Sequence, residues 1–289
     1  MARRLRELGP LLASGTAAAR LLSQIARLRR CEKSIDVAYG DGARHRLDVF
    51  HPRRADGAPV IVFFYGGRWE SGDKAMYRFV AATLAVRGYV VVVPDYRLYP
   101  QVRFPEFLAD AARALRWTRD NAASFGGDPA RLFTMGHSAG AYIAAMLALD
   151  GQWLNAVGLE AESTVAGVIG LAGPYDFMPV RDPVLVDIFG GNDEPHTQPI
   201  AFAEGRKPPV LLLTGDTDRA VEAGNSRRLA DRLRSHGNDA TVLAYRRLGH
   251  LTIMAGLAPF LGPVFPHLAE VDAFVGRIAG ARRAAGALP

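Results

Sequence analysis

Cysteine is almost missing: Cys31 is the only one in 289 residues. That excludes an intramolecular disulfide and a cysteine-rich zinc site. Long apolar runs are missing too. None reaches the roughly 18 residues of a membrane-spanning helix, so no span is expected. There is no internal repeat and no long linker. Disorder is excluded as well, because 49% of the residues are hydrophobic and only 22% charged, and that much apolar side chain offsets the entropy of ordering the chain.

The formal charge of +6 is concentrated at one end. Residues 1–30 hold seven arginines (Arg3, Arg4, Arg6, Arg20, Arg27, Arg29 and Arg30) against one acid, Glu7. The rest is close to neutral, so no nucleic-acid surface is implied. Arg20 and Arg27 interrupt any apolar core a cleaved signal would need, and a cytoplasmic protein is expected. Residues 1–32 read as a basic helical segment. It could lie on an anionic membrane surface; packing over the globular body, as part of a cap, is the preferred reading.

From residue 33 onward strand and helix patterns alternate. Val37–Tyr39 and His45–Phe50 read as strands joined by the Gly40-Asp41-Gly42 turn. Val60–Phe64, Val90–Val93, Leu132–Met135, Val165–Leu171, Val210–Leu213 and Thr241–Tyr245 are short apolar runs of the kind buried on both faces. Helical spacing spans Asp73–Arg87, Pro105–Ala123, Ala139–Leu149, Asn225–His236 and Pro266–Arg283. Residues 172–208 show little periodicity. This succession predicts an α/β fold, a mostly parallel twisted sheet of about eight strands flanked by helices. The domain would run over 33–289, with a small cap inserted at about 172–208.

The chemistry centres on Gly136-His137-Ser138-Ala139-Gly140. Gly-x-Ser-x-Gly is weak alone. Between a strand and a helix it describes a sharp turn that lifts a serine hydroxyl above the sheet, with small neighbours letting the turn close. Ser138 is therefore the candidate nucleophile. In this topology the acid and then the histidine follow it in the chain. Of seven histidines, His45 and His51 precede Ser138, and His137 sits beside it, unable to reach back. His196 lies in the cap, His236 ends a helix and His267 begins one. His250, in the loop after the strand 241–245, is the candidate base. In Thr214-Gly215-Asp216-Thr217-Asp218 both aspartates are candidate acids. Asp218 has the better reach, and Asp216 suits shaping the turn.

An acyl-transfer site also needs donors for the oxyanion. Phe64-Tyr65-Gly66-Gly67-Arg68-Trp69 ends a buried strand in a Gly-Gly loop whose backbone can approach a substrate closely. Gly66, Gly67 and Arg68, with Ala139 after the nucleophile, are the candidate oxyanion residues. Trp69 reads as packing or pocket wall. Phe177, Met178, Val184, Ile188 and Phe189 read equally as an acyl pocket or as core.

Taken together, Tyr65-Gly66-Gly67-Arg68-Trp69, Asp95-Tyr96-Arg97-Leu98-Tyr99-Pro100, Phe104-Pro105, Phe125-Gly126-Gly127-Asp128-Pro129, Gly136-His137-Ser138-Ala139-Gly140, Asp218-Arg219-Ala220-Val221 and Gly249-His250 resemble a known family. Over roughly residues 33–280 the chain is similar to α/β-hydrolases of the hormone-sensitive-lipase and carboxylesterase branch, close to the BD-FAE esterase group. The resemblance implies a serine esterase with N–H donors from Gly67, Arg68 and Ala139, and favours Asp218 over Asp216. It departs at two positions. Tyr65 stands where the family usually has histidine, which bears on the geometry of the loop. Arg68 stands where a third glycine is common; its side chain is expected to point to solvent, the alternatives being that it narrows the pocket or meets an anionic acyl group. Asp95 and Arg97 are expected to pin the crossing loop.

The reading is a serine carboxylesterase acting on small to medium acyl esters, with no metal or organic cofactor. An arylformamidase cleaving an N-formylkynurenine-type amide is the alternative within hydrolases, and a non-catalytic scaffold the alternative outside them. The partner is a small-molecule ester. The oligomeric state stays open, a homodimer included.

Overall fold

The computed structural model describes residues 31–258 and 265–286. The arginine-rich segment 1–30, with both readings of it, lies outside the described residues.

Eight strands form one sheet: β1 (Glu32–Ala38), β2 (Arg46–His51), β3 (Ala58–Phe64), β4 (Val90–Pro94), β5 (Gly127–His137), β6 (Val165–Leu171), β7 (Val210–Gly215) and β8 (Ala240–Tyr245), in the order β1-β2-β4-β3-β5-β6-β7-β8. β1 pairs antiparallel with β2, and β2 with β4; every other pairing is parallel. Every residue of β4, β6 and β7 is buried, which is why these strands are continuous apolar runs rather than alternating ones.

The helices are α1 (Arg78–Val86), α2 (Glu106–Asn121), α3 (Ala139–Leu149), the single turns α4 (Gln152–Asn155) and α5 (Ala161–Thr164), α6 (Pro183–Phe189), α7 (Gly224–Ser235) and α8 (His267–Gly286). α1 and α8 both touch a 3₁₀ turn at Thr252–Leu257 on one side of the sheet. On the other side α2 packs on α3, and α3 and α7 share a 3₁₀ turn at Pro199–Phe202. α3 is buried along its whole length, so its amino terminus sits in a low-dielectric interior.

Three local differences from the sequence reading have physical causes. The helix expected from Asp73 opens as a 3₁₀ turn (Lys74–Tyr77), with Asp73 accepting the Met76 N–H at 3.1 Å, and becomes α-helical only at Arg78. Asp95 takes the Lys74 N–H at 2.8 Å and ties that turn to the end of β4. β5 starts five residues early, because Gly127 pairs with Ala58 across an irregularity although Gly127-Asp128-Pro129 reads as a turn. Within 172–208 lies α6. It was not read from the sequence, and local chemistry bounds it: Asp182 caps the Val184 and Leu185 N–H groups at 3.0 and 3.2 Å, Pro183 opens the helix, and Gly190 closes it at φ 76°.

At the head of α8, His267 is fully buried and stacked on Tyr245 at 4.0 Å. Neither of its ring nitrogens meets a partner among the described residues. Burial pushes its pKa down to about 4. The folded value thus lies below the unfolded one, near 6.5. Its neutral form supports the fold fully above pH 6.5, and that support is lost as pH falls toward 4. His267→Phe, which keeps the ring stack, is expected to flatten the stability profile in this window by about 1.4 kcal/mol per pH unit. Denaturant midpoints at pH 7.5, 6, 5 and 4 measure this, and parallel profiles for variant and parent would refute it.

Candidate active site

The sharp turn between β5 and α3 holds Ser138 at φ 54°, ψ −122°, a sparsely populated conformation costing on the order of 1–3 kcal/mol. The flanking glycines explain how it closes. A Cβ on Gly136 would lie 2.2 Å from the Gly140 carbonyl oxygen, and one on Gly140 would lie 2.0 Å from that of Phe64. Ser138 donates its own N–H to the Leu171 carbonyl at 2.9 Å, fixing the turn to β6.

Two loops at the same sheet end bring in the other groups. After β7, Asp218 turns back so that Oδ1 accepts the Ala220 and Val221 N–H groups, each at 2.9 Å. After β8, the chain passes through Arg247 at φ 63° and presents His250. His250 Nδ1 lies 2.9 Å from Asp218 Oδ2, and His250 Nε2 lies 2.8 Å from Ser138 Oγ. With Nδ1–H donating to the carboxylate, Nε2 is left to accept the serine proton. Burial works to raise the Asp218 pKa, but the His250 hydrogen bond and the two backbone N–H groups outweigh it, and the carboxyl is held below its usual range. Asp216 plays the other role: its carboxylate accepts the Arg247 N–H at 2.6 Å, while Thr217 donates its N–H to Leu248 O at 3.1 Å. The acid and base loops are clipped together by these contacts.

The loop after β3 lies directly on the turn. A Cβ on Gly66 would come within 2.9 Å of both Ser138 Cβ and the His137 carbonyl oxygen. Gly66 is thus a close-approach spacer at the candidate nucleophile, and its N–H faces the Tyr77 hydroxyl. Gly67 takes φ 144°, and Arg68 and Trp69 take φ 57° and 62°. The N–H groups of Gly67, Arg68 and Ala139 make no backbone hydrogen bond among the described residues.

The two unusual loop residues have partners. Tyr65 is fully buried, donates its hydroxyl to Asp95 Oδ1 at 3.0 Å, and receives Arg44 Nη2 at 2.6 Å. Arg44 also donates Nε to Tyr96 O and Nη2 to Gly72 O, at 2.7 and 2.9 Å, so this loop is braced without a histidine. The Arg68 side chain is exposed, as expected, and it has partners there. It bridges Glu70 and Asp182, both at 2.9 Å, and so joins the loop to the cap of α6. Arg97 pins its segment through a two-pronged pair with buried Asp110, at 2.8 and 2.9 Å, while Asp95 holds Tyr65 and the Lys74 N–H.

Trp69 is packing. Its ring meets Tyr142 and Phe189 edge-on at 5.1 and 4.9 Å. Ile188 and Phe189 are buried, whereas Phe177, Met178 and Val184 are only half-buried. His45 is held by Gly42 N–H and Asp110, outside the Ser138–His250–Asp218 cluster.

Sequence reasoning missed the neighbours of the triad. Thr252 Oγ1 accepts the Gly249 N–H at 2.7 Å and steadies the residue before His250, and nothing in Gly-His-Leu-Thr signals this. Tyr77 was hidden inside an expected helix. His137 was set aside because it cannot reach Ser138, yet its Nε2 lies 2.9 Å from the His250 carbonyl oxygen. Among the described residues, no helix is long and apolar enough to cross a membrane.

Known proteins place this geometry in context. The chain is 30% identical to isoprenylcysteine alpha-carbonyl methylesterase ICME of Arabidopsis thaliana over 74% of its own length and 55% of that protein's. It is 31% identical to esterase LipC of Mycobacterium tuberculosis over 72% of this chain and 57% of LipC. The chain thus spans little more than half the length of these curated relatives. In fold it is similar to esterase Est2 of Thermogutta terrifontis, with a TM-score of 0.70 at 24% identity, covering 86% of this chain and 94% of that one. The α/β-hydrolase architecture read from the sequence is that of these structural neighbours. The BD-FAE family model matches residues 47–233, from the start of β2 into α7. That span carries Ser138 and Asp218, with His250 just beyond it, and on this match the chain belongs to the BD-FAE family.

Proposed function

We propose that the protein is a serine carboxylesterase hydrolysing small to medium acyl esters. The observation that carries this reading is the continuous hydrogen-bonded series Ser138 Oγ, His250, Asp218, at 2.8 and 2.9 Å. Ser138 attacks the ester carbonyl as His250 Nε2 takes its proton, and Asp218 holds the imidazole in the required tautomer and stabilises the imidazolium. The oxyanion is received by the N–H groups of Gly67, Arg68 and Ala139, each donor contributing roughly 10²–10³ in rate. His250 then returns the proton to the leaving alcohol. Water, deprotonated by the same imidazole, releases the acid from the acyl-enzyme. The names of the relatives support ester cleavage.

The test is a panel of p-nitrophenyl esters from acetate to palmitate, N-formylkynurenine, and an S-prenylcysteine methyl ester, the last prompted by the name of the Arabidopsis relative. The expected result is a kcat/KM that peaks among the short to medium acyl chains, with a fluorophosphonate adduct mapped to Ser138 by mass spectrometry. A higher kcat/KM for N-formylkynurenine than for every ester would replace the reading with an arylformamidase. No turnover and no adduct would leave the scaffold alternative.

A further inference from the structure

One run of polar contacts beside the triad is not used by the proposed reaction. The Gly66 N–H faces the Tyr77 hydroxyl oxygen. That hydroxyl lies 3.5 Å from His137 Nδ1, and His137 Nε2 lies 2.9 Å from the carbonyl oxygen of His250. The chemistry of each group fixes its direction. A carbonyl only accepts, so His137 Nε2 carries the hydrogen. Nδ1 is then an acceptor, the Tyr77 O–H donates to it, and the phenol oxygen is free to receive the Gly66 N–H. The hydrogen bonds therefore run one way, from the oxyanion loop through the serine turn to the base loop.

We infer that Tyr77 and His137 are positioning residues, which set the oxyanion loop and the His250 loop relative to Ser138 from a single point on the turn. The inference rests on the proposed esterase reading. Packing supports it. His137 is only 2% exposed, and its ring lies 4.9 Å from that of His250 and 6.4 Å from that of Tyr77. Burial first, and the neighbouring His250 second, push the His137 pKa down to about 3. The ring is therefore neutral at working pH, as its two hydrogen bonds require. Neutrality also spares the His250 imidazolium, formed in each half-reaction, a like charge at stacking distance. A leucine would fill this volume; it could not hold a carbonyl on one side and a phenol on the other.

The test compares His137→Leu, His137→Gln, Tyr77→Phe and the double variant Tyr77→Phe/His137→Leu in the full chain. Glutamine places an amide N–H near the position of the imidazole Nε2. Two readouts apply: kcat and KM on a short-chain p-nitrophenyl ester, and the downfield proton resonance of the His250–Asp218 hydrogen bond. The leucine variant is expected to lose at least roughly tenfold in kcat with KM little changed, because positioning of reacting groups acts on the chemical step. Its downfield resonance should broaden. Glutamine should recover most of both. Tyr77→Phe should fall between, and the double variant should be no worse than leucine alone, since the two residues act in one series. Parental kcat and resonance in the leucine variant, equal loss in the glutamine and leucine variants, or multiplicative loss in the double variant would each overturn the inference. If His137→Leu does not fold, Tyr77→Phe decides alone: a parental kcat and resonance there also overturn it. A parent that hydrolyses no ester defeats the esterase reading instead, and the resonance still reports on the positioning role.

Discussion

Ser138→Ala is expected to lower kcat on any ester by about 10⁶-fold, the size of loss that removing a serine nucleophile produces when base and oxyanion donors stay in place. Fluorophosphonate labelling should disappear with it. The fold should not change. Among the described residues the hydroxyl is bonded only to His250 Nε2, and the strained φ of 54° is borne by the backbone, where alanine meets the same restriction. Thermal midpoints of parent and variant should therefore agree within a degree or two, and the turnover assay decides. Undiminished hydrolysis by the alanine variant would move the nucleophile away from the turn and remove the mechanism.

Asp218→Asn should cost nearly as much, about 10⁴-fold in kcat, by a different route. The amide oxygen can still accept the Ala220 and Val221 N–H groups that Oδ1 accepts now, so the loop after β7 keeps its shape. The amide nitrogen then replaces Oδ2 and points a donor at His250 Nδ1, 2.9 Å away. The imidazole must place its hydrogen on Nε2, where it can no longer receive the Ser138 proton. Measured kcat should fall with little change in KM. Asp216→Asn offers the contrast: its carboxylate serves a backbone N–H that an amide oxygen also serves, and activity should stay within a few-fold of the parent. Equal losses at the two positions would mean that loop geometry, not the tautomer, carries the effect of Asp218.

These contrasts also show what could be read from sequence. The sheet was legible because parallel strands buried on both faces must be short apolar runs, as β4 and β6 are. Ser138 was legible because its turn demands glycines at fixed spacing. Asp218 and His250 were legible because strand order dictates which loops reach the serine. The extent of β5 was not, because Gly127 looks like a turn until Ala58 is found beside it. The roles of Tyr77 and His137 were not legible either: both depend on which nitrogen faces which loop, and residue spacing carries no information about that. The exposure of the Arg68 side chain was expected, but its partner Asp182 was not legible, being 114 residues away in sequence.

The order of the strands has one more consequence. Ser138 leaves β5 in the middle of the sheet, Asp218 leaves β7, and His250 leaves β8 at the edge. Synthesis runs from the amino terminus, and chains fold progressively as they emerge. A nascent chain that has reached Asp218 carries the serine and the carboxylate, but not yet the imidazole that connects them. The base therefore reaches Ser138 only once the edge strand β8 is in place. The series Ser138–His250–Asp218 is thus completed by the outermost strand of the sheet, the last of the eight to be synthesised.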